Sequence, residues 1–266
     1  MKQVLKATIV AAIVAVASTS ACAGKIARDA IFPIPKQAGI SRGFAMFVDD
    51  INARFDGEFE SNWRGGPEVM PPFGQAGAVG GRAMDIIFTG PSYDAGQVAT
   101  STTMNPSEQT YAEIRETKYC ERMTELHAEK DVFFPGEVRA TDLAFHIPRH
   151  APFSSIAGLE GKRMRGAADW ASQFKGVVFQ ALSPGVYRAG FRPLLYKEAW
   201  NGLPEDRKNR IIADVRDDLS PRIGETWATD VDEGVQKVMD AGLEVMELFA
   251  EGQKTLRTRA LGVDCH

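Results

Sequence analysis

The chain has 266 residues, 44% of them hydrophobic and 25% charged, enough for one large domain or two small lobes with cores of their own. Its formal charge is −4 and its Lys and Arg residues are scattered, which excludes the basic footprint of a nucleic-acid-binding protein.

Lys2 and Lys6 open the chain, followed by an apolar run at 7–17 interrupted only by Thr8, then Ser18-Thr19-Ser20 and Ala21-Cys22-Ala23. A positive start, a short apolar run and a small-x-small site predict a signal peptide over 1–23. The apolar run falls well short of the ~20 residues that span a bilayer. The mature chain, 24–266, is therefore expected to be exported and not membrane-embedded. Acylation at Cys22 is a weaker reading, because Thr19 stands where such sites carry a large aliphatic residue. Cleavage leaves Cys120 and Cys265, which could pair in an oxidising compartment, although their spacing does not argue for it.

Residues 37–56 read as an amphipathic helix, with Ile40, Phe44, Phe47, Val48, Ile51 and Phe55 at steps of three and four. A strand is expected at 58–63, turns at Gly65-Gly66-Pro67 and Pro71-Pro72, and a buried strand at 84–89 closed by Gly90-Pro91. A helix over 107–130, capped by Ser107, would turn Tyr111, Ile114, Met123 and Leu126 inward. Strand-like pieces follow at 132–134 and 143–147, a loop at 151–161 and a short strand at 162–165. From 204 to 241 the period is helical, with Pro221 as a kink or break. Gly242, a strand at 244–248 and a last helix at 249–261 complete the chain. Helices alternating with strands at this spacing predict an α/β protein with a mainly parallel sheet.

The motifs of chemistry are missing from the places that would make them work: the one GxSxG match, Gly39-Ile40-Ser41-Arg42-Gly43, falls inside an amphipathic helix rather than at a strand-to-helix elbow, and no HExxH, GxGxxG or GxxxxGK[ST] occurs. His146 and His150 are four apart, but Pro148 lies between them in an extended stretch, so they do not share a helical face for a metal. No carboxylate pair stands out as acid and base. No catalytic residue, metal or cofactor is expected, and the chain reads as a non-enzyme.

Four stretches then carry a resemblance. They are Gly65-Gly66-Pro67-Glu68-Val69 with the MDIIFT run downstream; Phe145-His146-Ile147 leading to Gly158-Leu159-Glu160-Gly161-Lys162-Arg163-Met164-Arg165; Leu182-Ser183-Pro184-Gly185-Val186-Tyr187; and 195–206, LYKEAWNGLPED. In this order they resemble the DctP-type solute receptors of tripartite ATP-independent periplasmic (TRAP) transporters. The resemblance implies a two-lobed, type II periplasmic-binding-protein-like architecture with hinge strands and a long C-terminal helix. Lobe I would take about 24–144 plus parts of 191–266, and a reduced lobe II about 145–190 plus C-terminal elements. Arg165 matches the arginine that holds the substrate carboxylate in the family, and a guanidinium fork suits that task. Trp170 and Tyr187 could wall the site, with Trp63 or Tyr93 lining it from the first lobe. The implied partners are a small organic acid and the TRAP membrane permease subunits.

The likeness breaks in two places. The family's P-x-E-V-Y helix start leads into a segment that crosses between lobes, whereas Tyr187-Arg188-Ala189 runs straight into Gly190-Phe191-Arg192. The crossing strand and its ligand-contacting Asn are thus expected to be missing. Phe145 stands where some sialic-acid-type members carry a second arginine. Two other readings remain beside the receptor: a degenerate receptor acting as a sensor or interaction subunit, and a secreted α/β enzyme with dispersed catalytic residues.

Overall fold

The computed structural model describes residues 26–105, 107, 109, 111–149, 178–240, 244–247, 250–252 and 254–255, with the side chains of 139–189 outside the description. Strand β1 (Ile26–Ile31) is flanked by two parallel partners, β2 (Phe59–Gly65) on one side and β3 (Ile86–Thr89) on the other. Parallel neighbours need crossover helices, and α1 (Ser41–Arg54) and α2 (Gln75–Gly80) supply them. The chain steps first one way from β1 and then the other. Right-handed crossovers therefore place α1 and α2 on opposite faces of the sheet.

Both faces are accordingly buried, and the residues alternate between them. Ala30, Phe32, Ile86 and Phe88 enter one core with Phe44, Phe47, Val48 and Ile51 of α1. Ile31 and Ile87 enter the other with Ala76 and Val79 of α2. This two-sided burial is why 86–89 is an unbroken apolar run rather than an alternating one.

Beyond β3 come α3 (Pro91–Asp94), a 3-10 turn (Ala99–Met104), α4 (Tyr111–Arg115), α5 (Tyr119–Ala128), β4 (Val132–Phe133) and β5 (Val138–Arg149). Then follow β6 (Val178–Tyr196), α6 (Lys197–Asn201), α7 (Glu205–Ala213), a π-helical turn (Asp214–Leu219), α8 (Ser220–Asp240) and β7 (Glu244–Glu247).

Two expected helices are split. The 107–130 helix breaks at 116–118, where the Thr117 hydroxyl donates to the Ile114 carbonyl at 2.6 Å and accepts from the Tyr119 N–H at 3.1 Å. Such local side-chain bonds compete with the helical ladder. The described helix begins at Tyr111, and the Ser107 hydroxyl ahead of it accepts from the Gln109 N–H at 3.2 Å. The 204–241 helix is divided by the π-helical turn, closed by a bond from the Ser220 hydroxyl to the Val215 carbonyl. Pro221 follows just after that turn, so the irregularity falls where the sequence marked a kink or break.

The larger correction concerns 182–187. No helix starts there: the segment lies within β6, which pairs with β3 and β4 through 192–196 and with β5 and β7 through 178–191. β6 is thus a strand shared by two sheets, A (β2-β1-β3-β6-β4) and B (β5, β6, β7). The crossing strand read as missing is β6 itself. Opposite β5 the register jumps from Tyr187 to Leu182 while β5 advances only from Leu143 to Phe145. That bulge accommodates Pro184 without breaking the strand.

Cys120 is a buried free thiol of the second core, raised in pKa by its burial. Cys265, the 151–161 loop and the 162–165 strand lie outside the described residues.

Candidate functional site

In an open α/β sheet the binding crevice forms at the carboxyl ends of the strands where the strand order reverses. Here that point lies between β1 and β3, and it is built by the segments leaving β1 (32–36), β2 (65–68) and β3 (90–94). Strands stand roughly 5 Å apart, so the ends of β2 and β3 are about 10 Å apart across β1, the width of a small molecule.

The rim is fixed by internal bonds. Gln75 Nε2 donates to the Met70 carbonyl at 3.1 Å, and the Ser41 hydroxyl donates to the Pro35 carbonyl at 2.7 Å. The Gly66 N–H donates to the Glu68 carboxylate at 2.7 Å, closing the turn after β2. Backbone hydrogen bonds hold the Glu68 carboxyl below the usual range, outweighing a small opposing effect of burial, and Lys36 adds to the lowering.

Trp63 ends β2 with its indole half-buried. Its Nε1–H donates to the Gly65 carbonyl at 2.9 Å, its ring meets Phe44 edge-on at 4.9 Å, and Lys36 Nζ lies 4.6 Å from the ring centroid. Its N–H and one face are therefore committed to the protein. Tyr93, on α3 after β3, is half-buried with its ring 5.3 Å from that of Phe73, which is 73% exposed. The structure thus brings Trp63, on β2, and Tyr93, on α3 just after β3, to the same end of sheet A on either side of β1. Tyr187 lies on β6 opposite Leu143 of β5, in sheet B. Arg165 and Trp170 lie outside the described residues.

Sequence reasoning missed a buried charge cluster beneath the crevice, made by Asp94, His127, Glu137 and Arg192. Its one signal is an arginine inside the apolar run Gly190 to Tyr196, since a charge in a buried strand must be paired. Asp94 follows Tyr93 directly. Burial pushes its carboxyl up, but the hydrogen bond from His127 and the Arg192 charge outweigh that and leave it below the usual carboxylate range. Burial also raises the Tyr119 phenol, helped by the Glu137 carboxylate, to which its hydroxyl donates at 3.1 Å.

A separate hollow of about 310 Å³ lies at the opposite end of sheet A, between Arg28, Arg82, Asp85, Tyr196 and Glu198. The Tyr196 hydroxyl donates to Glu198 at 2.8 Å and Arg28 lies 3.9 Å from Asp85, so its charges largely serve one another. The amino-terminal ends of strands are also the wrong end for a switch-point site. Among the described residues no group of three or more His, Cys, Asp or Glu is placed to hold a metal. No described helix is long and apolar enough to cross a membrane.

Fold and crevice together define an open α/β architecture in which one strand is shared with a second sheet. No family model matches the chain and no curated protein matches it. Solved structures do, among them an extracytoplasmic solute receptor and several TRAP periplasmic solute binding proteins. One is DctP7, a Bordetella pertussis extracytoplasmic solute receptor binding pyroglutamic acid: 11% identity, 88% of this chain and 93% of that one, TM-score 0.70. A second, from Chromohalobacter salexigens with bound D-glucuronate, has 12% identity over 88% and 92% of the two chains, with TM-score 0.71. A third, from Desulfovibrio salexigens with bound orotic acid, has 12% identity over 88% and 89%, with TM-score 0.70. The chain has the fold of these TRAP solute-binding proteins, and the neighbours are binding proteins rather than enzymes.

Proposed function

We propose that this chain is an extracytoplasmic solute receptor of a TRAP transporter, which binds a carboxylate-bearing small molecule between its two sheets and hands it to the membrane permease. The observation that carries this is the shared strand β6, which links a second sheet to sheet A beside the switch-point crevice. In such an arrangement a ligand held by both sides stabilises the closed form. Arg165 is the group proposed to hold the carboxylate, since a guanidinium keeps its charge and its bidentate geometry when desolvated. Trp170 and Tyr187 are proposed to wall the site from the second side, with Tyr93 and the outer edge of Trp63 facing them. Export by the 1–23 signal peptide would place the mature receptor in the periplasm.

The test is the melting temperature of the mature chain, 24–266, with pyroglutamate, D-glucuronate, orotate and a broader set of organic acids. Stabilisation follows RT ln(1 + [L]/Kd), so an acid at a hundred times its Kd adds about 2.7 kcal/mol. At least one acid is expected to raise the melting temperature, and Arg165→Ala is expected to abolish that rise while leaving the ligand-free melt in place. Silence across the whole set, or a rise that survives Arg165→Ala, would overturn the reading.

A further inference from the structure

Strand β6 carries Arg192 into the face of sheet A that α2 and α5 cover, and there the side chain is fully buried. Its Nη2 donates to Asp94 Oδ1 at 2.8 Å and to the Ser101 carbonyl at 3.4 Å, while Nε and Nη1 have no partner among the described residues. The second Asp94 oxygen, Oδ2, lies 3.2 Å from His127 Nε2, and His127 Nδ1 lies 2.7 Å from the Met123 carbonyl. Asp94 and His127 are 1% and 2% exposed. The His127 ring stacks on Phe134 at 5.3 Å, and the Arg192 guanidinium stands 5.8 Å from the centroid of that same ring.

His127 faces the Met123 carbonyl with one ring nitrogen and the Asp94 carboxylate with the other, so the ring ties α5 to α3. The groups facing this site are Asp94 from α3, His127 and Tyr119 from α5, Ser101 from the 3-10 turn, Glu137 from the segment before β5, and Arg192 from β6. The Arg192 guanidinium thus shares a site closed to water with two carboxylates, where each charge depends on the others for compensation.

The position of this cluster is what gives it meaning. Arg192 pairs with Thr89 in sheet A, while its neighbour Phe191 pairs with Val138 in sheet B, so Arg192 marks the point where β6 passes from one sheet to the other. Asp94 ends α3, whose Tyr93 stands on the crevice rim. We propose that Arg192, through Asp94 and the His127 ring behind it, is a positioning residue that locks α3, and with it Tyr93, to the crossing strand. Its effect on solute affinity rests on the receptor reading; the lock itself does not.

The test uses the ligand-free mature chain. Arg192→Met is expected to lower the hydrogen-exchange protection of the Tyr93, Gln97 and Val98 amides at least tenfold at pH 7, with α1 unchanged, and Arg192→Lys to restore most of it. If Arg192→Met does not fold, His127→Gln serves in its place, with a loss confined to the same amides. An equal loss of protection in α1 and α3, or no loss in α3, overturns the proposal. A chain that binds no organic acid yet shows the loss confined to α3 would sink the receptor reading and leave the lock standing.

Discussion

Gly190 shows how closely the buried cluster is fitted. A Cβ built there would stand well inside van der Waals contact of Glu137 Oε1, and the Tyr119 hydroxyl holds the other oxygen of that carboxylate in place. Gly190→Ala is therefore expected to cost about 1–3 kcal/mol in urea unfolding, the usual range for overpacking. Tyr119→Phe, which frees the carboxylate to swing away, should recover part of it. Asp94 adds a pH dependence of definite sign. Its folded pKa lies below the unfolded value, so its contribution is complete above about pH 4 and is lost as pH falls through the folded pKa. Asp94→Asn is expected to flatten the acid limb of the stability profile, and an unaltered limb in thermal melts from pH 2 to 6 would contradict the assignment. Asp94, Glu137 and Arg192 lie far apart in sequence, and only the arginine within 190–196 pointed toward them.

The crossing of α1 and α8 depends on the pairing of Gly43 with Trp227. The indole lies where any Cβ at position 43 would stand, and its Nε1–H donates to the Ile40 carbonyl at 2.9 Å. It also meets Phe191 at 5.2 Å and Phe88 at 6.4 Å, placing α8 on the aromatic core of sheet A. Trp227→Ala is expected to lose about 3–5 kcal/mol in chemical unfolding. Arg54 makes a useful contrast. It bridges α1 to the π-helical turn through Asp214 at 3.0 Å and also pairs with Asp50 and Asp218, yet it is one-third exposed. Arg54→Ala should cost no more than about 1 kcal/mol and should matter less as salt is raised. The elements in this layer were mostly legible, because 3.6-residue periodicity marked α1 and α8 and the apolar run marked β3. What periodicity could not show was the break at Thr117, where a single hydroxyl bonds back to the chain, whereas Pro221 had marked the irregularity at 214–219.

At the scale of the molecule, the α/β class and the receptor-like order of segments were legible, while the joint between the sheets was misread. The likeness at 182–187 suggested a helix because the local residues match one. Strand formation there is decided instead by partners some 40 residues earlier in β5 and 60 later in β7, to which local pattern is blind. With β6 continuous, sheet B joins sheet A through that strand, next to the cluster where Arg192 and Glu137 lie. If an organic acid binds between the two sheets, contacts to both sides favour the closed form by the difference in its affinity for closed and open forms. Small-angle scattering of the mature chain is expected to show a radius of gyration that falls, on saturation with such an acid, toward the roughly 18 Å of a compact chain of this length. Arg165→Ala should leave the larger value in place at the same acid concentration, since the second side then lacks its anchor. A radius that stays constant while the melting temperature rises would mean that the acid binds to one sheet only, and the crossing strand would then be a rigid strut rather than a hinge.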